Sequence, residues 1–582
     1  MTFFKTIIAT IIGLILFGIL SFFLFVGFIA AAGGDQVPQV DENSVLYINL
    51  NGPVKERIAE DPFNELFENS PQGIALLDAI EAISSAKNDE NIQGIYLEHG
   101  YLSGGYGSFE EIRNALIDFK QSGKFVYSYA EYLSEQNYYI ASVADEIYFN
   151  PQGTMEFNGL SANISFYKGL FDKLDVKPQI FRVGEFKSYV EPYIRKNMSE
   201  PNKRQIGSFL NSIYDFYLQN VSASRGMSQE ALEKVSDEML VRNADKALEH
   251  GLVTKVAFED EIKSLMKEQL GIGTKSKINF ISIRNYAKSS NADSDYSKNK
   301  IAVIIADGAI VSGKGDTGSV GSEKFALAIK KARESKRVKA VVIRVNSPGG
   351  SALASDVMWR EIMLTKAVKP VIASMSNVAA SGGYYMAMPC DTIVAQPNTT
   401  TGSIGIFGML FNMSGLLENK LGITSDVVNT GEFSDIYTVT RALSDYELSI
   451  FQNQVEEGYE TFTSKAAQGR NMSIEDLKKV ASGRVWTGIQ AKENGLVDVL
   501  GGFNDAVLLA AQAAGVEADY ATSFYPKLLS PFEEIMSKFM GEQQSKLFKS
   551  EFGILADEVE KIKHLQELNG IQARMPFDIE IK

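Results

Sequence analysis

The chain has 582 residues, of which 57 are basic and 72 acidic, so its formal net charge is −15. Phosphate binding requires a basic surface, and this balance argues against nucleic acid as a main partner. One cysteine and three scattered histidines give no disulfide within the chain and no Cys/His metal site, and we expect no metal and no cofactor. The length predicts about three to four domain-sized units.

The first 34 residues are expected to anchor the chain in a membrane. Residues 6–32 carry no charge, and this apolar run exceeds the roughly 20 residues that span a bilayer. A cleavable signal peptide has a shorter apolar region. Lys5 precedes the run, and the acidic residues Asp35 and Asp41 follow it. This arrangement predicts a single-pass protein of the cytoplasmic (inner) membrane, with its amino terminus in the cytoplasm and the rest on the outer, periplasmic side.

The rest of the sequence is written twice, with a shift of about 246 residues between the copies. Each copy opens with a β-branched apolar run that stops at a glycine, residues 45–52 and 301–308. Further such runs alternate with helical patterns, which predicts an α/β fold of βαβ units with mainly parallel sheets. The expected divisions are a membrane anchor at 1–34, a first repeat at 35–290, a linker at 291–300, a second repeat at 301–525 and a helical tail at 526–582.

The two copies differ at two chemically important positions. Residues 184–187 (Gly-Glu-Phe-Lys) match residues 431–434 (Gly-Glu-Phe-Ser), whereas residues 381–385 (Ser-Gly-Gly-Tyr-Tyr) match residues 135–139 (Glu-Gln-Asn-Tyr-Tyr). Taken alone, these are an ordinary surface lysine and a serine in a turn. A nucleophilic serine needs a base, however, and a lysine can serve when burial lowers its pKa. Each repeat is therefore expected to supply one half of a Ser–Lys site.

A glycine-rich turn offers the third component of a hydrolase. Residues 346–351 read Asn-Ser-Pro-Gly-Gly-Ser and follow a predicted buried strand. Two glycines there leave backbone N–H groups free to bind a developing oxyanion. A simple tight turn is the alternative. A literal G-x-G-x-x-G at residues 313–318 is separated by several residues from the strand and the helix that a dinucleotide fingerprint joins directly, so we expect a polar, mobile loop there.

These motifs resemble the long, duplicated form of the signal peptide peptidase A family, membrane-anchored serine proteases with a Clp-protease/crotonase-like fold. The resemblance covers nearly the whole chain and is most specific at residues 182–192, 346–350, 379–384, 401–408 and 483–488. It implies two tandem Clp-protease/crotonase-like repeats after one transmembrane helix. It also implies these roles: Ser381 as nucleophile, Lys187 as general base, Ser403 as the serine that hydrogen-bonds the lysine, and Gly349, Gly350 and Gly382 as the oxyanion site.

The resemblance further implies a bowl-shaped homotetramer and peptide substrates such as released signal peptides. Two other functions stay open. A crotonase-type acyl-CoA enzyme would share the fold and the oxyanion loop, but it would not need a Ser–Lys pair. A non-catalytic anchored scaffold could have lost its activity, although Ser381 and Lys187 are intact. We expect a membrane-anchored serine endopeptidase that degrades signal peptides and similar apolar peptides.

Overall fold

The computed structural model describes most of the chain. The described residues are 38–59, 73–290, 297–316, 318–528 and 570–575, with scattered helical residues between 3 and 21. No helix among these residues is both long enough and apolar enough to cross a membrane. The predicted span at residues 6–32 lies largely outside the described part of the chain, and the anchor stays a prediction.

The first repeat forms one parallel sheet with its helices. Its strands are β1 (Ser44–Lys55), β2 (Ile74–Ala75), β3 (Ile92–Ser103), β4 (Phe125–Leu133), β5 (Glu146–Met155), β6 (Lys177–Arg182), β7 (Lys255–Val256) and β8 (Asn279–Ser282). Its helices are α1 (Leu76–Asn88), α2 (Tyr106–Lys120), α3 (Glu135–Ala141), α4 (Lys168–Leu174), α5 (Glu191–Ile194), α6 (Glu200–Arg225), α7 (Gln229–Asp237), α8 (Ala244–Glu249), α9 (Glu259–Gln269) and α10 (Ile283–Ser290). The sheet order is β2-β1-β3-β4-β5-β7, with β8 beside β1, and β6 leaves this sheet.

The second repeat forms a matching sheet. Its strands are β9 (Lys300–Asp307), β10 (Ala309–Val311), β11 (Ser319–Gly321), β12 (Val338–Ser347), β13 (Gly349–Ser351), β14 (Val371–Ala380), β15 (Thr392–Ala395), β16 (Thr400–Gly402), β17 (Phe407–Asn412), β18 (Val485–Thr487), β19 (Val499–Leu500) and β20 (Ala521–Tyr525). Its helices are α11 (Ser322–Glu334), α12 (Ala352–Lys366), α13 (Gly382–Ala387), α14 (Asp445–Arg470), α15 (Ile474–Val480), α16 (Gly488–Glu493) and α17 (Phe503–Ala513).

The two sheets repeat one topology. Strands β9-β12-β14-β15-β19 follow the order of β1-β3-β4-β5-β7, and β20 lies beside β9 as β8 lies beside β1. Strand β12 shows why the sequence folds this way. Its apolar residues are buried on both faces, with Val341 and Ile343 in one core cluster and Ala340 and Val342 in another. Such a run is typical of a parallel strand covered by helices on both sides. The α/β fold expected from the sequence is confirmed.

A buried cluster of charges joins the two repeats. Arg344 lies in the apolar strand β12, and its Nε and Nη2 atoms are 2.8 Å from Glu56 and 2.8 Å from Glu111 of the first repeat. The Arg344 guanidinium also donates to the hydroxyls of Ser374 and Ser376. All five residues are buried. A charge is tolerated in such a place only when it is paired and hydrogen-bonded, so this cluster fixes one repeat against the other.

A third sheet combines strands from both repeats and from the tail. Its order is β11-β10-β13-β21-β17-β6, where β21 is Gly570–Arg574. The helical tail predicted at 526–582 is therefore wrong for this segment. Residues 570–574 pair with β13 on one side and β17 on the other, and main-chain hydrogen bonds from two neighbours favour a strand. Residues 529–569 and 576–582 of the predicted tail lie outside the described residues.

Candidate active site

Ser381 lies in a strained turn between β14 and α13. Its φ and ψ angles are +55° and −110°, a conformation that non-glycine residues rarely adopt. The turn is held by two hydrogen bonds, from the Ser381 N–H to the Gly402 carbonyl and from the Tyr385 N–H to the Ser381 carbonyl, both 2.8 Å. A Cβ atom at Gly383 would lie 2.5 Å from the Ser347 carbonyl oxygen. The small residues after the serine therefore let the start of α13 approach β12 closely.

The side chain of Lys187 reaches this serine from the first repeat. Lys187 follows β6, and its Nζ atom lies 3.0 Å from Ser381 Oγ, 3.0 Å from Ser403 Oγ and 3.2 Å from the Ser403 carbonyl oxygen. All three residues are fully buried. Burial holds the pKa of Lys187 well below its ordinary value of 10.5, because desolvation disfavours the ammonium form. The three residues predicted as nucleophile, base and lysine partner thus lie in direct contact.

Glycines allow the backbone at Lys187 to approach the second repeat. A Cβ atom at Gly483, whose φ is +79°, would lie 2.7 Å from Lys187 Cβ, and one at Gly405 would lie 3.3 Å from Lys187 Cδ. Gly184, whose φ is +88°, allows a similar approach, since a Cβ atom added there would lie 2.4 Å from the Ser482 carbonyl oxygen. Sequence reasoning included these glycines in its motifs but gave them no role. These three glycines lie in loops that are far apart in the sequence. Their common role could not be predicted from the local sequence, because only the fold brings them together.

A buried polar network fixes the segment that follows Lys187. Ser188 Oγ donates to Asn202 Oδ1 at 2.9 Å and accepts from Gln205 Nε2 at 2.7 Å. Asn202 Nδ2 in turn donates to Glu191 at 3.1 Å, and the Val485 N–H of the second repeat donates to Gln205 Oε1 at 3.4 Å. The sequence motif at residues 182–192 includes Ser188 and Glu191 without giving them a role, and Asn202 and Gln205 were missed. The available signal was a pair of amides three positions apart on α6, which places both on one face of that helix.

The predicted oxyanion residues converge at the same turn. A Cβ atom at Gly349, where φ is +96°, would lie 2.7 Å from the Gly382 amide nitrogen. The Gly349 N–H donates to Ser347 Oγ at 3.2 Å. Gly350 pairs with Ile310 of β10 on one side and with β21 on the other. The structure therefore brings Gly349, Gly350 and Gly382 together, with the amide of Gly349 already engaged inside the turn.

The described residues were also compared with the usual arrangement of metal ligands. Within it, no three His, Cys, Asp or Glu side chains are grouped so that they could hold a metal ion. Cys390 is buried, and burial raises the pKa of its thiol, so it is not an activated nucleophile. The side chains and backbone groups that converge at this site are those of two serines, a desolvated lysine and three glycines.

Comparison with known proteins places the chain in a family. The model of peptidase family S49 matches residues 118–273 and 363–517, one match in each repeat. "Protease 4" of Salmonella typhi is 38% identical over 494 residues, which cover 83% of this chain and 78% of that protein. "Serine protease SPPA, chloroplastic" of Arabidopsis thaliana is 36% identical over 485 residues, covering 82% of this chain and 70% of that protein.

A further relative extends the match. "Protease 4" of Haemophilus influenzae is 35% identical over 508 residues, which cover 84% of this chain and 82% of that protein. A ClpP1 mutant of Listeria monocytogenes is 15% identical with a TM-score of 0.24, over 35% of this chain and 94% of that one. The family model and the three long relatives show that the chain belongs to peptidase family S49 and is a serine-type peptidase.

Proposed function

We propose that the chain is a membrane-anchored serine endopeptidase that degrades released signal peptides and similar apolar peptides with a Ser381–Lys187 pair. The observation that carries this proposal is the 3.0 Å contact between Lys187 Nζ and Ser381 Oγ in a fully buried setting. A lysine is normally charged at neutral pH and cannot then accept a proton. Burial lowers the pKa of Lys187, which makes the neutral amine available as a base.

The contacts of Lys187 orient its lone pair. A neutral amine has two N–H donors and one acceptor site. The carbonyl oxygen and the hydroxyl of Ser403 lie 3.2 Å and 3.0 Å from Nζ and can take both N–H groups. The lone pair then faces Ser381 Oγ, from which it would accept the proton during attack on a peptide carbonyl. Ser403 is a positioning residue in this scheme.

The oxyanion is assigned to backbone amides of the glycine turns. The Gly349 N–H has a partner in Ser347, and Gly350 pairs with strands β10 and β21, so the Gly382 N–H is the favoured donor. Gly382 opens helix α13 at the Ser381 turn. Amides held in place before the reaction stabilise the developing negative charge at little reorganisation cost. Lys187 then returns its proton to the leaving amine, and water hydrolyses the acyl-enzyme.

Anchoring and assembly belong to the same proposal. The anchor rests on the uncharged run at residues 6–32 and on the charges that flank it. The homotetramer comes from the family resemblance, and association between copies is supported by residues 421–437, where large apolar side chains are exposed to solvent. These include Leu421, Ile423, Val428 and Tyr437, and Val428 is 97% exposed. An exposed apolar set of this kind favours contact between copies of the chain.

The substrate class is tested with the full-length chain in detergent micelles. We expect it to cut a synthetic signal-peptide sequence many times faster than a charged peptide of equal length, and the Ser381→Ala variant to cut neither. Mass spectrometry identifies the cleaved bonds. Equal rates on both peptides would contradict the apolar preference, and cleavage by Ser381→Ala at the wild-type rate would contradict the assigned nucleophile. Absence of cleavage in every sample would favour the scaffold alternative.

A further inference from the structure

Strand β14 carries a bulge shortly before the Ser381 turn. Its pairing with β12 is regular up to Met375 and resumes at Ala379, but a single residue of β12 lies opposite the segment between them. Excess residues of this kind leave the ladder and bend the strand locally. Residues 376–378 form this β14 bulge. Ser381 follows it closely along the chain, so the placement of the bulge sets the placement of the serine.

The β14 bulge is docked on the first repeat by Asn377. The Ser108 N–H, in the first turn of α2, donates to Asn377 Oδ1 at 2.8 Å. Helix α2 begins after Gly105, which has no side chain and makes no cap hydrogen bond of its own. The Ser108 amide is at the position whose N–H an N-cap side chain normally satisfies. Asn377 of the second repeat therefore acts as the N-cap of a helix in the first.

Two glycines of α2 make room for this contact. A Cβ atom at Gly105 would lie 2.4 Å from Asn377 Oδ1, and one at Gly107 would lie 2.8 Å from the Ser376 carbonyl oxygen. A side chain at either position would push the β14 bulge away from α2. Close approach of one backbone to another is a common reason for glycine.

Other contacts hold the β14 bulge within its own repeat. The Thr399 hydroxyl donates to the Ser376 carbonyl oxygen at 2.6 Å, and the Val378 N–H donates to Asn346 Oδ1 at 3.3 Å. The Asn377 side chain adds a tie to the first repeat, the half of the molecule that holds the proposed base.

The duplication shows how this cap arose at one helix and not at the other. In the second repeat, the matching helix α12 is capped by its own Ser351, whose hydroxyl accepts from the Ala354 N–H at 3.3 Å. Gly105 matches Ser351 at the shift that relates the copies, and Asn377 matches Glu131, which is exposed. The first repeat thus has a glycine in place of the cap residue, and the second repeat supplies the acceptor.

We propose that Asn377 is a positioning residue for the nucleophile, because its cap on α2 holds the β14 bulge, and with it Ser381, in place against Lys187; this inference rests on the proposed function. The 3.0 Å contact between Lys187 Nζ and Ser381 Oγ joins two repeats, so it depends on how they are seated on each other. A misplacement of about 1 Å at a reacting atom can cost on the order of 100-fold in rate. Asn377 acts through the bulge and not on the substrate, so its loss should lower kcat and leave KM unchanged.

The test compares Asn377→Leu with Asn377→Asp in the full-length chain, in detergent, on a fluorogenic apolar peptide. Leu has a branched side chain of similar shape but no acceptor, and kcat should fall about tenfold or more. Asp keeps the acceptor and carries a charge that is favoured at a helix N-terminus, so kcat should return to within about threefold of the wild type. Complete labelling by a fluorophosphonate counts the reactive serines, and kcat is expressed per labelled serine, which removes any unfolded fraction.

Asn243→Ala is the matched control. Asn243 caps α8 within the first repeat by accepting from the Lys246 N–H at 2.9 Å. Its loss should lower the urea midpoint measured by circular dichroism and leave kcat per labelled serine unchanged.

Three outcomes would overturn the role of Asn377. They are wild-type kcat in Asn377→Leu, an Asn377→Asp chain as slow as Asn377→Leu, and an equal loss of kcat in Asn243→Ala. The Ser381→Ala chain separates this inference from the proposed function. Cleavage by Ser381→Ala at the wild-type rate would overturn the proposed function, whereas an inactive Ser381→Ala chain beside a fully active Asn377→Leu chain would overturn only the role of Asn377.

Discussion

Ser381 and Glu135 occupy matching positions in the two repeats, so the same fold carries a serine hydroxyl in one repeat and a carboxyl group in the other. Ser381 lies immediately before the short helix α13, and Glu135 is the first residue of the matching helix α3. The two short helices make matching contacts: the Tyr384 hydroxyl donates to the Leu496 carbonyl, and the Tyr138 hydroxyl donates to the Leu252 carbonyl. The packing tyrosines are present in both repeats, whereas the serine proposed as nucleophile is present only in the second. The first repeat is therefore a structural partner with no nucleophile at this position.

The lysine motif shows the reverse difference. Lys187 is fully buried against Ser381, whereas Ser434, its match in the second repeat, lies in an exposed turn and accepts a hydrogen bond from the Gly431 N–H. Identical neighbours in sequence thus lie in opposite environments. Under the proposed function, each repeat holds an incomplete site, and Lys187, which follows β6 of the first repeat, supplies the base that the second repeat lacks.

The strongest test of this comparison replaces Lys187 and its counterpart Ser434 in two separate variants. Lys187→Met removes the base, and we expect peptide turnover to fall by roughly 10³-fold or more, as for the loss of other paired catalytic groups. Ser434→Ala changes the matched exposed position and should leave turnover unchanged. Steady-state cleavage of a fluorogenic apolar peptide measures both. Comparable losses in the two variants would contradict the division of the site between the repeats.

The charge cluster that joins the repeats gives the next largest effect. Arg344→Met leaves Glu56 and Glu111 buried without their cation, and we expect it to cost about 3–5 kcal/mol in the free energy of unfolding. Both tryptophans, Trp359 and Trp486, lie in the second repeat, so their fluorescence during urea unfolding reports that half.

A matched control for the cluster is available at the surface. Lys478 pairs with Glu460 at 2.7 Å in an exposed position. Lys478→Met should leave the urea midpoint unchanged, because exposed ion pairs contribute little to stability. A small effect of Arg344→Met, equal to that of the surface variant, would show that the repeats are held together by other contacts.

Ser403 tests how the lysine is oriented. Removal of its hydroxyl takes away one of the two acceptors for Lys187, and we expect turnover to fall on the order of 10- to 100-fold, the equivalent of one lost buried hydrogen bond. Ser403 has φ of +48°. Ser403→Gly adopts this angle without strain, so it should lose as much activity as Ser403→Ala. A loss in the alanine variant alone would point to backbone strain as the cause.

The smallest effect that we expect is on the pH dependence of stability, and it comes from Glu135. Burial raises the pKa of its carboxyl to about 7 from 4.5, although the amides of Asn158 and Gly159 donate to it. The folded state then binds a proton more tightly than the unfolded state. This stabilisation is present below pH 4.5 and is lost as the pH rises through about 7.

The Glu135→Gln variant removes that titration. We expect it to be more stable than the wild type above pH 7 by on the order of 1 kcal/mol, with no such gain at pH 4.5. Thermal unfolding at the two pH values measures the difference. Peptide turnover should stay unchanged, because Glu135 lies in the first repeat, at the position that corresponds to the Ser381 turn of the second repeat. The same stability difference at both pH values would contradict the raised pKa.

The sequence predicted the parts of the molecule that have a local signal. Strand β12 is readable from its β-branched run, and the roles proposed for Ser381 and Lys187 come from comparing the two copies and from the family resemblance. Strand β21 was missed because Gly-Ile-Gln-Ala-Arg has no strand pattern of its own and pairs only with distant strands. Arg344 was missed for a similar reason, since its partners Glu56 and Glu111 are more than 200 positions away.

The most direct test of the shared site is the labelling of Ser381 by a fluorophosphonate probe, followed by mass spectrometry of the peptide that contains it. In the wild-type chain the labelling rate should rise with pH and level off once Lys187 is neutral, because only the neutral amine can take the serine proton. In Lys187→Met the rate should be low at every pH, while Ser434→Ala should match the wild type. Labelling of the Lys187→Met chain at the wild-type rate, or a rate that does not change between pH 6 and 9, would contradict a site assembled from the two repeats.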